Sequence, residues 1–139
     1  MQPSINYLAV IVSAVARFAL GAVWYSALFG AKWMELTGMT EEKARSANMA
    51  VTYGGALVAY VVQAYVLAHF IHYTNAKDAK GGAQCGFWLW LGFSAVLLMQ
   101  GTLFEQRSFT LFFINAGYEL VSLLAMGIIL AVWQKKATA

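Results

Sequence analysis

The chain has 139 residues, of which 61% are hydrophobic and 11% are charged, and its formal net charge is +3. An ordinary soluble domain carries about 25% charged residues, so this composition excludes a soluble globular fold. The basic residues lie beside the apolar runs rather than in one patch, which excludes a nucleic-acid-binding surface and favours contacts with phospholipid headgroups.

Four apolar runs are long enough to cross a hydrocarbon core of about 30 Å. They predict helices over residues 5–29, 49–73, 83–104 and 109–133. The predicted fold class is all-α: a polytopic membrane protein with four transmembrane helices in an up-down bundle. We expect residues 1–139 to form a single domain.

The first connector is predicted to hold a short amphipathic helix at residues 32–37, which ends at Gly38. Thr40 is a good N-cap, and two glutamates follow it in the first turn, where the helix dipole favours acidic residues. The helix that begins there is predicted to continue without a break into the second span. Ser108 is predicted to cap the fourth span.

Two single charges lie in the middle of apolar runs, Arg17 in the first and Glu119 in the fourth. Arg17 lies 12 residues past the start of its run, or about 18 Å along a helix. Glu119 lies 10 residues past the start of an antiparallel run, or about 15 Å from the opposite face. The two therefore share one depth. An unpaired charge there costs about 2.5–3.5 kcal/mol, so we expect an ion pair between Arg17 and Glu119.

Further polar and small residues are expected around this pair. Gln63 in the second run, and Asn115 one turn before Glu119, are predicted to complete its hydrogen bonds. The predicted buried polar centre is therefore Arg17, Glu119, Asn115 and Gln63. Small residues at four-residue spacing let membrane helices approach closely, which predicts helix-packing positions at Ser13, Gly21, Gly55 and Ala59.

No catalytic or metal site is predicted. The sequence shows no nucleophile–base arrangement. His69 and His72, three residues apart near the end of the second run, lack the additional ligands that a zinc site requires. We therefore predict that the protein is not an enzyme and binds no cofactor, metal or nucleic acid.

Two segments carry a family resemblance. Residues 24–34 read Trp-Tyr-Ser-Ala-Leu-Phe-Gly-Ala-Lys-Trp-Met, and residues 115–118 read Asn-Ala-Gly-Tyr, followed at 120–127 by Leu-Val-Ser-Leu-Leu-Ala-Met-Gly. They resemble the motifs of a family of small, mostly bacterial membrane proteins, the domain-of-unknown-function family number seventeen sixty-one. The resemblance covers nearly the whole chain and implies four spans and a multi-pass location in the bacterial cell (inner) membrane. Ala27 stands where that family has proline, which predicts a looser turn there.

The basic residues leave the orientation in the membrane open, because each face carries four. One face holds Lys32, Lys43, Arg45 and Arg107, and the other holds Lys77, Lys80, Lys135 and Lys136. The positive-inside rule therefore gives little guidance. The compact C-terminal pair favours a location of both termini in the cytoplasm.

Two functions follow as hypotheses. The first is a structural or interaction protein that assembles as a homo-oligomer, such as a homodimer, through its small-residue positions, with the Arg17–Glu119 pair fixing helix register. The alternative is a small transporter or an ion or proton pathway that uses the same intramembrane centre. An arginine there suits an anionic small-molecule substrate, whereas an unpaired glutamate suits protons or cations. The expected partners are membrane lipids and further copies of the chain.

Overall fold

The computed structural model describes residues 3–136, which form helices and no strand. The helices are α1 (Tyr7–Leu28), α2 (Gly30–Thr37), α3 (Glu41–Ser46), α4 (Met49–Tyr73), α5 (Ala79–Phe104) and α6 (Phe109–Val132). The four longest, α1, α4, α5 and α6, are long and apolar enough to cross a membrane. The prediction of an all-α, four-span membrane protein is confirmed.

Each long helix begins at a residue whose side chain caps it. The caps are Asn6 for α1, Asn48 for α4, Asp78 for α5 and Ser108 for α6, and each accepts a hydrogen bond from a backbone N–H of the first turn. Such a bond satisfies a donor that has no partner within the helix. The predicted cap at Ser108 is confirmed. The cap at Asp78 explains why α5 begins at Ala79, four residues before the predicted start.

The first connector contains two short helices and a break. α2 ends as predicted at Gly38, which adopts a left-handed conformation with φ of 70°. The Thr40 hydroxyl caps α3 as predicted. The chain then becomes extended at Ala47, so the prediction of one unbroken helix into the second span is wrong. The reason is Asn48, whose side chain accepts a bond from the Val51 N–H and begins a new helix.

Two of the spans contain a π-helical segment, Val23–Leu28 in α1 and Trp90–Ala95 in α5. The segment in α1 ends where the Phe29 N–H donates to the carbonyl of Trp24 at 2.8 Å. It includes Ala27. π-helical turns are frequent at functional sites, and this one lies where α1 passes the start of α6.

α6 is the central helix of the bundle. In its most apolar stretch 44% of residues are buried, against 28% in α1, 22% in α4 and 11% in α5. α1 and α6 are antiparallel. The Asn6 amide donates to the carbonyl of Trp133 at 3.1 Å at one end, and the Trp24 indole donates to the carbonyl of Ile114 at 2.9 Å towards the other.

The backbones of α5 and α6 approach each other closely. A methyl group at Gly82 would overlap the carbonyl oxygen of Gly127, and a methyl group at Gly86 would overlap that of Leu123. Glycines four residues apart are a common means of bringing membrane helices together. This contact was not predicted, although the spacing of Gly82 and Gly86 carries the signal.

The first half of α4 is exposed, in contrast to its second half. Every residue from 49 to 59 is exposed except Ala56, which is half-buried. One ring contact, 5.7 Å between the centroids of Phe18 and Tyr53, connects this half to α1. The second half supplies the residues that α4 buries, Ala64, Leu67, Ala68 and Ile71.

Candidate functional site: a buried polar centre

The structure brings the charged groups of Arg17 and Glu119 together in the middle of the bundle. Arg17 Nη1 lies 3.2 Å from Glu119 Oε2, and Arg17 Nη2 donates to Glu119 Oε1, so the contact is bidentate. Arg17 is 5% exposed, and the Glu119 side chain is 22% exposed. The pair therefore connects α1 to α6 at a depth where water is scarce.

Gln63 adds a third helix to this contact. Its Oε1 atom accepts a hydrogen bond from Arg17 Nη1, so one guanidinium joins α1, α4 and α6. The Arg17 Nε–H has no hydrogen-bond partner among residues 3–136. Two of the three nitrogen atoms of the guanidinium are thus used within the chain.

Two tyrosine rings flank the guanidinium. Arg17 Cζ lies 4.5 Å from the ring centroid of Tyr60 and 5.1 Å from that of Tyr118. The negative face of an aromatic ring attracts such a cation, most strongly where water is absent. The Tyr118 hydroxyl also donates to the carbonyl of Arg17 at 3.0 Å. Neither ring was predicted, although Tyr60 lies about one turn before Gln63 on the same helix.

Asn115 does not bond to the ion pair. Its Oδ1 atom accepts instead from the Tyr25 hydroxyl at 2.8 Å. Its side chain is short and lies one turn from Glu119, level with the π-helical segment of α1, so Tyr25 is the partner within reach. Together with the bond from Trp24 to Ile114, this contact forms a second polar layer between α1 and α6.

The four helix-packing positions divide into two groups. Ser13 is fully buried, and a methyl group at Gly21 would lie 2.8 Å from the Tyr118 hydroxyl. Both therefore belong to contacts within the bundle. Gly55 and Ala59 lie on the exposed half of α4, and a methyl group at Gly55 would meet no atom within 4 Å.

Two buried hydroxyls lie on one side of the ion pair. Ser13 precedes Arg17 by one turn on α1, and Ser122 follows Glu119 by about one turn on the antiparallel α6. Both side chains are fully buried. Neither hydroxyl has a hydrogen-bond partner in the part of the chain that the structure describes. The polar centre therefore extends beyond the two charges.

The histidines near the end of α4 lie apart from this centre. The His69 Nδ1 atom is 2.9 Å from the carbonyl oxygen of Tyr65, and its ring contacts the rings of Tyr65 and Tyr73. Between residues 3 and 136, no three His, Cys, Asp or Glu side chains are grouped as metal ligands would be. His69 therefore belongs to an aromatic cluster at the end of the span.

Comparison with known proteins assigns the chain to a family. No curated protein and no solved structure matches it. Residues 8–131 match the family described as "Protein of unknown function (DUF1761)". That range extends from the first turn of α1 to the end of α6 and includes both motifs that carry the resemblance. The chain therefore belongs to this family of proteins of unknown function.

Proposed function

We propose that this protein is a structural or interaction protein of the cell membrane that assembles as a homo-oligomer. In this proposal the Arg17–Glu119 pair holds the fold of each copy, and the exposed half of α4 forms the contact between copies. The observation that carries the proposal is the exposure of residues 49–59 within a span.

The contacts of Arg17 support a structural role for the ion pair. Its guanidinium bonds to Glu119 and Gln63 and lies between two tyrosine rings. The positive charge is therefore compensated within the chain, with no substrate required. Removal of one partner from such a pair leaves an uncompensated buried charge, which is strongly destabilising. Together with Gln63, this pair holds α1, α4 and α6 in one register.

The surface of α4 supports assembly. Gly54 and Gly55 have open space where a side chain would be, and Ala59 is exposed one turn further along. Lipid tails are as apolar as leucine, so membrane helices associate mainly through close packing, which small residues allow. A second copy of the chain fits this surface because its α4 presents the same small residues.

Cysteine cross-linking tests this interface. In a Cys85→Ala background, Ala59→Cys is expected to form disulfide-linked dimers in native membranes. Leu97→Cys on α5 is the matched control, since Leu97 is 67% exposed on another span, and it should remain monomeric. Equal yields at the two positions, or no dimer at Ala59→Cys, would contradict the proposal.

A bulky substitution provides a second test. Gly55→Leu should abolish the dimer, because leucine separates the two backbones. Gly92→Leu introduces the same side chain at a glycine on α5 that also faces open space, and it should leave the dimer intact. Native mass spectrometry in mild detergent measures both outcomes.

The alternative, a small transporter or proton pathway, has its own support. Glu119 is the more exposed member of the pair, and the buried hydroxyls of Ser13 and Ser122 are unpaired among the described residues. These groups supply polar sites for water or an ion next to the charges. Proton flux into liposomes that Glu119→Gln abolishes, with assembly intact, would favour transport. Absence of flux in the wild type would favour the structural role.

A further inference from the structure

The two ends of the bundle carry equal numbers of basic residues but differ in how these are paired. At the end that contains α2, α3 and the α5–α6 turn, four basic residues accompany four glutamates. Three ion pairs form there, Lys32 with Glu35, Arg45 with Glu41, and Arg107 with Glu105. This end is therefore electrically neutral.

The opposite end has four lysines and one aspartate. None of the lysines lies within 4.0 Å of a carboxylate among residues 3–136. Asp78 accepts a hydrogen bond from the Gly81 N–H at 2.7 Å, and its charge is thereby engaged by the N-terminus of α5. Since Arg17 and Glu119 cancel each other, the formal net charge of +3 lies at this end.

A tertiary contact gathers the lysines. The Gln134 side-chain amide donates to the carbonyl of Ala76, so the chain that follows α6 lies against the α4–α5 turn. This contact brings Lys135 and Lys136, which follow directly in the sequence, to the segment that contains Lys77. Lysines almost 60 residues apart in the chain thus lie on two segments that contact each other, which together we call the basic surface.

Beside this surface is a groove with a polar and an apolar part. It has a volume of about 440 Å³, and its lining includes Asn75, Lys77, Gln84, Trp88 and Asp78, whose carboxylate bonds to the N-terminus of α5. The first large apolar residues of α5 are Phe87 and Trp88, and Trp88 is 66% exposed. The groove therefore extends from the polar α4–α5 turn to the first aromatic residues of α5, as expected of a site at the boundary between the headgroup layer and the hydrocarbon core, where tryptophan is favoured.

We propose that this groove binds the headgroup of an anionic phospholipid. The phosphodiester lies against Lys77 and the side-chain amides of Asn75 and Gln84. Trp88 packs against the glycerol and the first acyl carbons. Lys135 and Lys136, beside the groove, attract the negative charge of the headgroup. Each lysine close to an anionic membrane surface contributes about a fivefold gain in affinity. A zwitterionic lipid lacks this contribution.

Competition between lipids tests the proposal on the intact protein. Native mass spectrometry of detergent-solubilised protein, with equal amounts of phosphatidylglycerol and phosphatidylcholine, should show preferential retention of phosphatidylglycerol. Lys77→Gln should weaken that retention about fivefold. The triple variant Lys77→Gln, Lys135→Gln, Lys136→Gln should remove the preference. Lys43→Gln makes the same charge change at the neutral end and should have no effect.

The same experiment distinguishes a lipid headgroup from free inorganic phosphate as the ligand of the groove. If the groove holds a lipid, millimolar inorganic phosphate should not displace phosphatidylglycerol, and Trp88→Ala should weaken its retention although the charge is unchanged. The proposal is refuted if the two lipids are retained equally, if Lys43→Gln acts as strongly as Lys77→Gln, or if inorganic phosphate displaces the lipid.

Discussion

Substitution of the ion pair by apolar residues tests the role of the buried charges most directly. Glu119→Leu leaves Arg17, which is 5% exposed, with Gln63 and two tyrosine rings as its remaining partners. Breaking a buried pair costs about 3–5 kcal/mol, and the rings offset about 1 kcal/mol of that. We therefore expect a loss of about 3 kcal/mol in the free energy of unfolding.

Substitution of Arg17 instead of Glu119 should lower the free energy of unfolding by a smaller amount. Arg17→Met leaves Glu119, whose side chain is 22% exposed and can be hydrated in part, so we expect a loss of about 2 kcal/mol, somewhat below the usual range for a buried pair. The double variant has no charge to compensate and should lie within about 1 kcal/mol of the wild type. The coupling free energy between the two sites is then about 4–6 kcal/mol.

Unfolding by sodium dodecyl sulfate in mixed micelles, followed by helical circular dichroism, measures these free energies. The matched control is the exposed pair of Lys32 and Glu35, whose atoms are 3.2 Å apart and whose coupling should be below about 1 kcal/mol. Losses that simply add in the double variant would refute the partnership. The charge-swapped variant, Arg17→Glu with Glu119→Arg, should be more stable than either of its single substitutions.

Three further predictions concern the packing and the helix ends. Gly86→Ala should lower the free energy of unfolding by about 1–3 kcal/mol, because the methyl group overlaps the backbone of α6. Gly92→Ala, at an open position of the same span, should be neutral or stabilising. Equal effects of the two substitutions would refute the close contact. Tyr25→Phe and Asn115→Ala should each lower the free energy of unfolding by about 1 kcal/mol. In a double-mutant cycle their effects should not add, since both remove the same hydrogen bond. Full additivity would contradict that bond. Asn48→Ala should cost about 1 kcal/mol and increase hydrogen exchange in the first turn of α4, and unchanged exchange there would contradict the cap.

Several features of the fold were predictable because they depend on neighbours along the chain. Helix caps such as Ser108 and a helix end at Gly38 involve contacts over two to five residues, and apolar length decides which segments cross the membrane. The break before α4 was local as well. The charges after Thr40 favour a continuing helix, but the side chain of Asn48 caps a new one.

The depth of a charge in a span also follows from counting residues. A helix rises about 1.5 Å per residue, so the sequence places Arg17 and Glu119 at one level before their contact is known. The same count cannot show which side chains surround them. Tyr60, Tyr118 and Gln63 reach the guanidinium because of the rotation of α4 and α6 about their axes.

By itself the sequence determined the number of spans, most of their ends and the common depth of the two charges, because hydropathy, capping and helical rise are properties of one segment. Only the tertiary structure decided which helices touch, that Asn115 bonds to Tyr25, that α5 lies directly on α6, and that Gln134 holds the segment after α6 against the α4–α5 turn. These features depend on helix rotation and tilt, which result from packing among all four spans. A local pattern such as the spacing of Gly82 and Gly86 indicates a close contact but does not identify the partner helix.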